Sequence, residues 1–155
     1  YKLGIWDRST LTAIGQARAA FAARRDIKYI GITFEPQLVY LQREFLHPRM
    51  QLRLNAGPKF GFDGFNDYYY DVAPQYATAT RPQYSSKNGY LYTSLGSRLF
   101  FAVTPRLSVG VSSQILVGKG SANEDSPLYK RNVNYALSAG FAYSLFISKD
   151  VAYRD

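Results

Sequence analysis

The chain has 155 residues, of which 46% are hydrophobic and 16% aromatic, with 14 Tyr, 10 Phe, one His, no Cys and a formal net charge of +8. The length suits one domain, and the absence of Cys excludes a disulfide scaffold, a thiol nucleophile and cysteine-held zinc or iron–sulfur sites. No apolar run approaches the roughly 20 residues of a membrane helix, and the basic residues (Arg18, Arg53, Lys59, Arg98, Arg106) occur singly, without a helix-turn-helix or RNA-binding signature, so nucleic acid is not an expected partner.

Taken in chain order, Tyr1–Trp6 reads as the tail of a strand and Asp7-Arg8-Ser9 as a turn. Leu11–Arg25 is alanine-rich and open to two readings: Leu11, Ile14, Arg18 and Phe21 fall near helical spacing with Ser9 or Thr10 as a cap, yet a strand is preferred. From Ile27 onward period two dominates. Ile27–Leu41 carries Ile30, Ile32, Phe34, Leu38 and Tyr40 on one face. Met50–Asp63 sets Leu52, Leu54, Ala56, Pro58, Phe60 and Phe62 against Gln51, Arg53, Asn55, Gly57, Lys59 and Gly61. Gly89–Val103, Leu107–Gly118 and Val133–Leu145 repeat the alternation, with Leu91, Leu95, Leu99, Phe101 and Val103 on the apolar face of the first. Pro36 and Pro58 fall inside strands, where bulges are expected with both rings facing outward.

A soluble β-sandwich also alternates, but three features favour a membrane sheet. The stretches run to about 12–15 residues, against a usual strand of about 5–6, and about 9–11 tilted residues cross a bilayer. The less apolar face is rich in Gly, Ser, Ala, Gln and Asn, and the apolar faces of these five stretches hold no charge. Thr104-Pro105-Arg106 is a tight connection, whereas Gly64–Asn88 and Lys119–Asn132 are long, which matches short periplasmic turns and long outer loops. His47-Pro48-Arg49 echoes Thr104-Pro105-Arg106, each opening an upward strand.

The expected fold is therefore all-β, an antiparallel transmembrane β-barrel of a Gram-negative outer membrane. Residues 1–145 supply its strands and loops, and 146–155 form a periplasmic tail. About seven strands are counted, whereas closed bacterial barrels have an even number from eight upward, so a cleaved leader and further barrel residues are expected before Tyr1.

Three short motifs, in order, resemble those of the MipA/OmpV (MltA-interacting protein) family of outer-membrane proteins. Tyr68-Tyr69-Tyr70-Asp71-Val72-Ala73-Pro74 is similar to the family's aromatic-aromatic-x-Val-x-Pro segment, and Asp125-Ser126-Pro127-Leu128 to its Asp-Ser-Pro-(Ile/Leu)-Val loop. Ser138-Ala139-Gly140-Phe141-Ala142-Tyr143 resembles its closing strand, although Tyr143-Ser144-Leu145 and a tail stand where the family ends in Tyr-Arg-Phe. The resemblance implies a non-enzymatic scaffold that contacts a periplasmic murein hydrolase or peptidoglycan-synthesis proteins, together with membrane lipids including lipopolysaccharide and other envelope proteins. The expected partner surface is the turns carrying Arg43, His47, Arg49 and Arg106, plus the tail.

No catalytic, metal or cofactor residue is expected. A barrel hydrolase would place His with Ser and an acid near the outer rim, but His47 falls on the opposite turn beside Pro48. Asp63, Asp67 and Asp71 lack an EF-hand pattern. Arg18, Glu35, Arg53, Lys59 and Arg98 share the polar face. They read either as an internal plug of Glu35 with neighbouring arginines or as a basic constriction, and the latter makes a small porin-like channel for anions or small solutes the alternative function. Tyr68, Tyr69, Tyr70, Tyr76, Tyr84 and Tyr90 read as a girdle and loop packing, or as a ligand site.

Overall fold

Alternating side chains are realised as strands along nearly the whole chain. The computed structural model describes residues 1–23, 26–62 and 64–146. Seven strands, β1 (Lys2–Trp6), β2 (Ser9–Ala23), β3 (Ile27–Arg43), β4 (Met50–Phe62), β5 (Gly89–Ala102), β6 (Leu107–Val117) and β7 (Val133–Tyr143), form one antiparallel sheet in sequence order. Among the described residues β1 and β7 are the two edges, and the sheet is not closed. The expected tail beyond Phe146 lies outside the described residues, as do Arg24, Arg25 and Asp63.

The alanine-rich segment is a strand of 15 residues, paired with β3 from Ser9↔Gln42 to Ala23↔Ile27. Alanine favours helix, but here Ala13, Ala17 and Ala19 sit opposite Leu38, Phe34 and Ile32. Small residues against large ones let the two backbones pair along their length, and tertiary pairing overrides the local preference.

The faces are inverted relative to a soluble sheet. On β3, Thr33 and Glu35 are 4% and 7% exposed, while Phe34 and Leu38 between and beyond them are 42% and 50% exposed. On β5, Ser94 is fully buried and Leu95 is 45% exposed. Around Thr33, Glu35 and Ser94 the enclosed face is thus the polar one and the apolar face points outward, while Arg53, Arg98 and Gln114 on that same polar face, and all of β7, are exposed. Outward rows run across the sheet, as in Ala56↔Leu95↔Ile115↔Tyr135, an arrangement consistent with a bilayer on that face.

Two apolar residues leave the expected face. Parity places Ile30 and Leu91 outward, but bulges at Gly31/Tyr29 against Ala20/Phe21, and at Tyr92/Tyr90 against Lys59/Phe60, make each the extra residue and bury it. With Val39 and Val72 they form the small buried apolar core. Val103, also assigned to the apolar face, lies beyond the end of β5.

The expected bulge at Pro36 is absent. Register runs Phe34↔Phe60 on one side and Leu38↔Ala56 on the other, an unchanged offset that sets Pro36 opposite Pro58. Two residues without an N–H face each other, so the ladder is interrupted there without an insertion. The bulge near Pro58 falls instead one step on, between β4 and β5.

Connections sort by end. Residues 7–8, 44–49 and 103–106 lie at one end, the turn end, and 26, 64–88 and 118–132 at the other, the loop end. The first loop-end connection is short, so the alternation of short and long holds only from β3 onward. No helix among the described residues is long and apolar enough to cross a membrane.

Candidate functional site

Three groups of residues bear on function: the charges on the enclosed face, the loop layer and the turn end. On the enclosed face, the buried Glu35 carboxylate accepts from Gln37 Nε2 at 2.5 Å and pairs with Arg18 Nη1 at 3.5 Å, while Arg18 also donates to Gln16. Gln37 Nε2 reaches Ser94 Oγ at 3.4 Å, and Ser94 donates to the Gly57 carbonyl at 3.3 Å. A buried carboxylate persists only with such partners. Among the described residues, Arg18 is the basic residue that pairs with Glu35 in the expected plug. Lys59 Nζ lies instead between the Phe65 and Tyr92 rings, at 6.0 and 5.7 Å from their centroids. Arg53 and Arg98 face each other across β4 and β5.

At the loop end, the short helix α1 (Phe65–Tyr70) and the segment after it fold over β3 and β4. The Val72 and Tyr84 peptides bridge at 2.9 and 3.1 Å, and Val72 is buried. Asp67 and Asp71 both accept from Ser86, which accounts for these two loop acids as structural. Ser126 Oγ donates to the Tyr70 carbonyl at 2.8 Å and so joins the two long loops. Tyr129 donates to the Gly118 carbonyl at 2.7 Å. Burial raises the Tyr70, Tyr84 and Tyr129 phenols above their ordinary value, with Glu124 adding to the effect at Tyr129. Tyr68, Tyr69 and Tyr76 remain exposed, and Tyr68 packs edge-on against Tyr69 at 5.0 Å. Pro74 opens a single 3-10 turn, and Asp125 and Pro127 flank the buried Ser126.

At the turn end the sequence echo is an echo of structure. His47 Nδ1 accepts from the Arg49 N–H at 3.0 Å, and Thr104 Oγ1 accepts from the Arg106 N–H at 3.2 Å, so in each X-Pro-Arg turn the first side chain holds the third peptide. The His47 ring also packs on Phe101 at 5.5 Å. Arg8 pairs with Glu44 at 2.8 Å, Arg49 Nη1 donates to the Val103 carbonyl at 3.3 Å, and the Ser144 N–H donates to the Arg106 carbonyl at 2.8 Å. These bonds knit all three turns together. A concavity of about 530 Å³ opens here, lined by Arg43, Glu44, Arg49 and Phe100 among others.

The family model for MltA-interacting protein MipA matches residues 2–145. The chain belongs to the MipA family. Comparison with curated proteins and with solved structures finds no match. MipA membership and the inverted sheet are together consistent with an outer-membrane location.

In this MipA chain the motif residues Val72 and Ser126 are buried anchors between loops, which is a packing role. Two further anchors had no motif to mark them. Asn123 is fully buried, accepts from the Lys87 N–H at 2.8 Å and donates to the Lys87 carbonyl at 2.9 Å; Asn66, also fully buried, donates to the same carbonyl at 2.6 Å. The two side chains replace strand partners for the peptide of Lys87, and a polar residue in a polar loop carries no sequence signal that it is enclosed. Asn123→Ala is expected to lower the local stability of the loop layer by about 2 kcal/mol, since buried peptide groups lose their partners. Limited proteolysis should then cleave the 72–88 segment faster while the strands stay protected. Unchanged cleavage would show that the layer does not depend on this clamp.

Proposed function

We propose that the protein is a non-enzymatic outer-membrane barrel whose turn end faces the periplasm and docks a murein hydrolase or a peptidoglycan-synthesis protein. The observation that carries this reading is the match to the MltA-interacting family over residues 2–145. The turn end supports it physically. Its three turns are cross-linked by the Arg8–Glu44 pair and the Arg49–Val103 bond, so a partner meets a surface ordered before binding, which limits the entropy lost on association. Arg43, Arg49 and Arg106 give that surface positive charge, and Leu46, almost fully exposed, adds an apolar point beside them. The His47 ring and its Nδ1 are engaged in the turn itself, which fits a structural use of the single histidine.

The test uses the full chain with Arg43, Arg49 and Arg106 changed to Ser. Bound murein hydrolase recovered from envelope extracts and scored by zymography should fall at least about tenfold, equivalent to roughly 1.4 kcal/mol. Undiminished recovery from a correctly folded variant would remove the turn end as the docking surface.

A further inference from the structure

The enclosed face holds an arrangement that the proposed docking role does not use. Arg53 of β4 and Arg98 of β5 are direct cross-strand partners. Like charges placed opposite each other are destabilising. The one acidic side chain near the middle of this face, Glu35, is taken by Arg18 and Gln37. Among the described residues neither Arg53 nor Arg98 has a carboxylate within ion-pair distance. The row continues across the sheet as Arg98↔Ser112↔Ser138, and the two serine hydroxyls lie 2.7 Å apart. Arg98 is oriented by Phe100, its Cζ 5.7 Å from the ring centroid, and Phe100 itself lies over Gly110, where a Cβ would come within 2.8 Å of the ring.

We infer that Arg53, Arg98, Ser112 and Ser138 form a binding site for a small oxyanion, a carboxylate or phosphate group. These four residues line one concavity of about 430 Å³, whose lining includes no acid. Two guanidinium forks and two hydroxyls are donors suited to oxygen acceptors, and an anion between the arginines turns their repulsion into attraction. The inference stands independently of the docking role and of whether the protein conducts.

The experiment is thermal unfolding of the full chain in detergent, with sodium phosphate or sodium acetate replacing sodium chloride at constant ionic strength. The wild-type midpoint should rise by several degrees in phosphate and in acetate, because a ligand bound only by the folded state stabilises it. In Arg53→Gln/Arg98→Gln the rise should vanish, while the midpoint in chloride should equal or exceed the wild type because the repulsion is gone. Arg98→Lys, which keeps the charge and loses the fork, should retain part of the rise. An oxyanion response of the same size in the double variant would overturn the inference, as would a wild type that does not respond. A double variant that is destabilised or unfolded in chloride would also overturn it, because the arginines would then be structural.

Discussion

Leu95→Arg is expected to destabilise the protein by roughly 2–4 kcal/mol in a bilayer, the cost of a cation on the outward face near mid-membrane. Leu95 lies near the middle of β5, between Ala56 and Ile115 in an outward row, and it is 45% exposed. No charged residue shares that face in the described strands to pair with it. Gln114→Glu places a charge one residue from Ile115, at the same depth but on the polar face, where it is exposed and shares a concavity with Arg53 and Arg98. Denaturant unfolding from lipid vesicles should therefore show a large loss for Leu95→Arg and little for Gln114→Glu. Equal effects would mean that the two faces have been assigned wrongly, since a sheet with both faces in water predicts little change from either.

Gly57→Ala is expected to destabilise at or above the upper end of the roughly 1–3 kcal/mol typical of overpacking. At the proline gap β3 and β4 approach so closely that a Cβ on Gly57 would overlap the carbonyl oxygen of Pro36 and come within 2.9 Å of the Gln37 Cα. Both obstacles are backbone, so no rotamer change relieves them. The strands must part, and parting them also pulls Ser94 from the Gly57 carbonyl and loosens Gln37 on the buried Glu35. Gly140→Ala is the control: the added methyl meets nothing within 4 Å, and the unfolding midpoint should hardly move. A Gly57→Ala midpoint equal to that of Gly140→Ala would show that the gap is not a tight contact.

The strands were legible because their information is local. Period two with an uncharged outward face identifies Met50–Phe62 or Leu107–Val117 from residue order alone, and parity then assigns a side to Arg53 and Arg98. Parity failed where the backbone departs from ideal pleating. Ile30 and Leu91 look like outward residues until a bulge inserts each as an extra residue and turns it inward. A bulge depends on the partner strand and leaves no mark in a single sequence. The same holds for Pro36, whose missing N–H is tolerated because Pro58 lies directly across from it. In the candidate sites, parity puts the five inner charges on one face, but which of them meet was not readable. Glu35 accepts from Arg18 and leaves Arg53 facing Arg98, because register rather than spacing decides the neighbour.

By itself, then, the amino-acid order determined that the chain is a long-stranded antiparallel sheet with an uncharged outward face, long loops at one end and a pair of related X-Pro-Arg turns at the other. These follow from side-chain alternation and turn chemistry, which act over a few residues. Only the tertiary structure decided that Ile30 and Leu91 turn inward at bulges, that Asn66 and Asn123 clamp Lys87, and that two arginines confront each other beside two hydroxyls. Each of those depends on residues brought together from distant strands and loops, and such meetings are set by register and closure that no local pattern encodes.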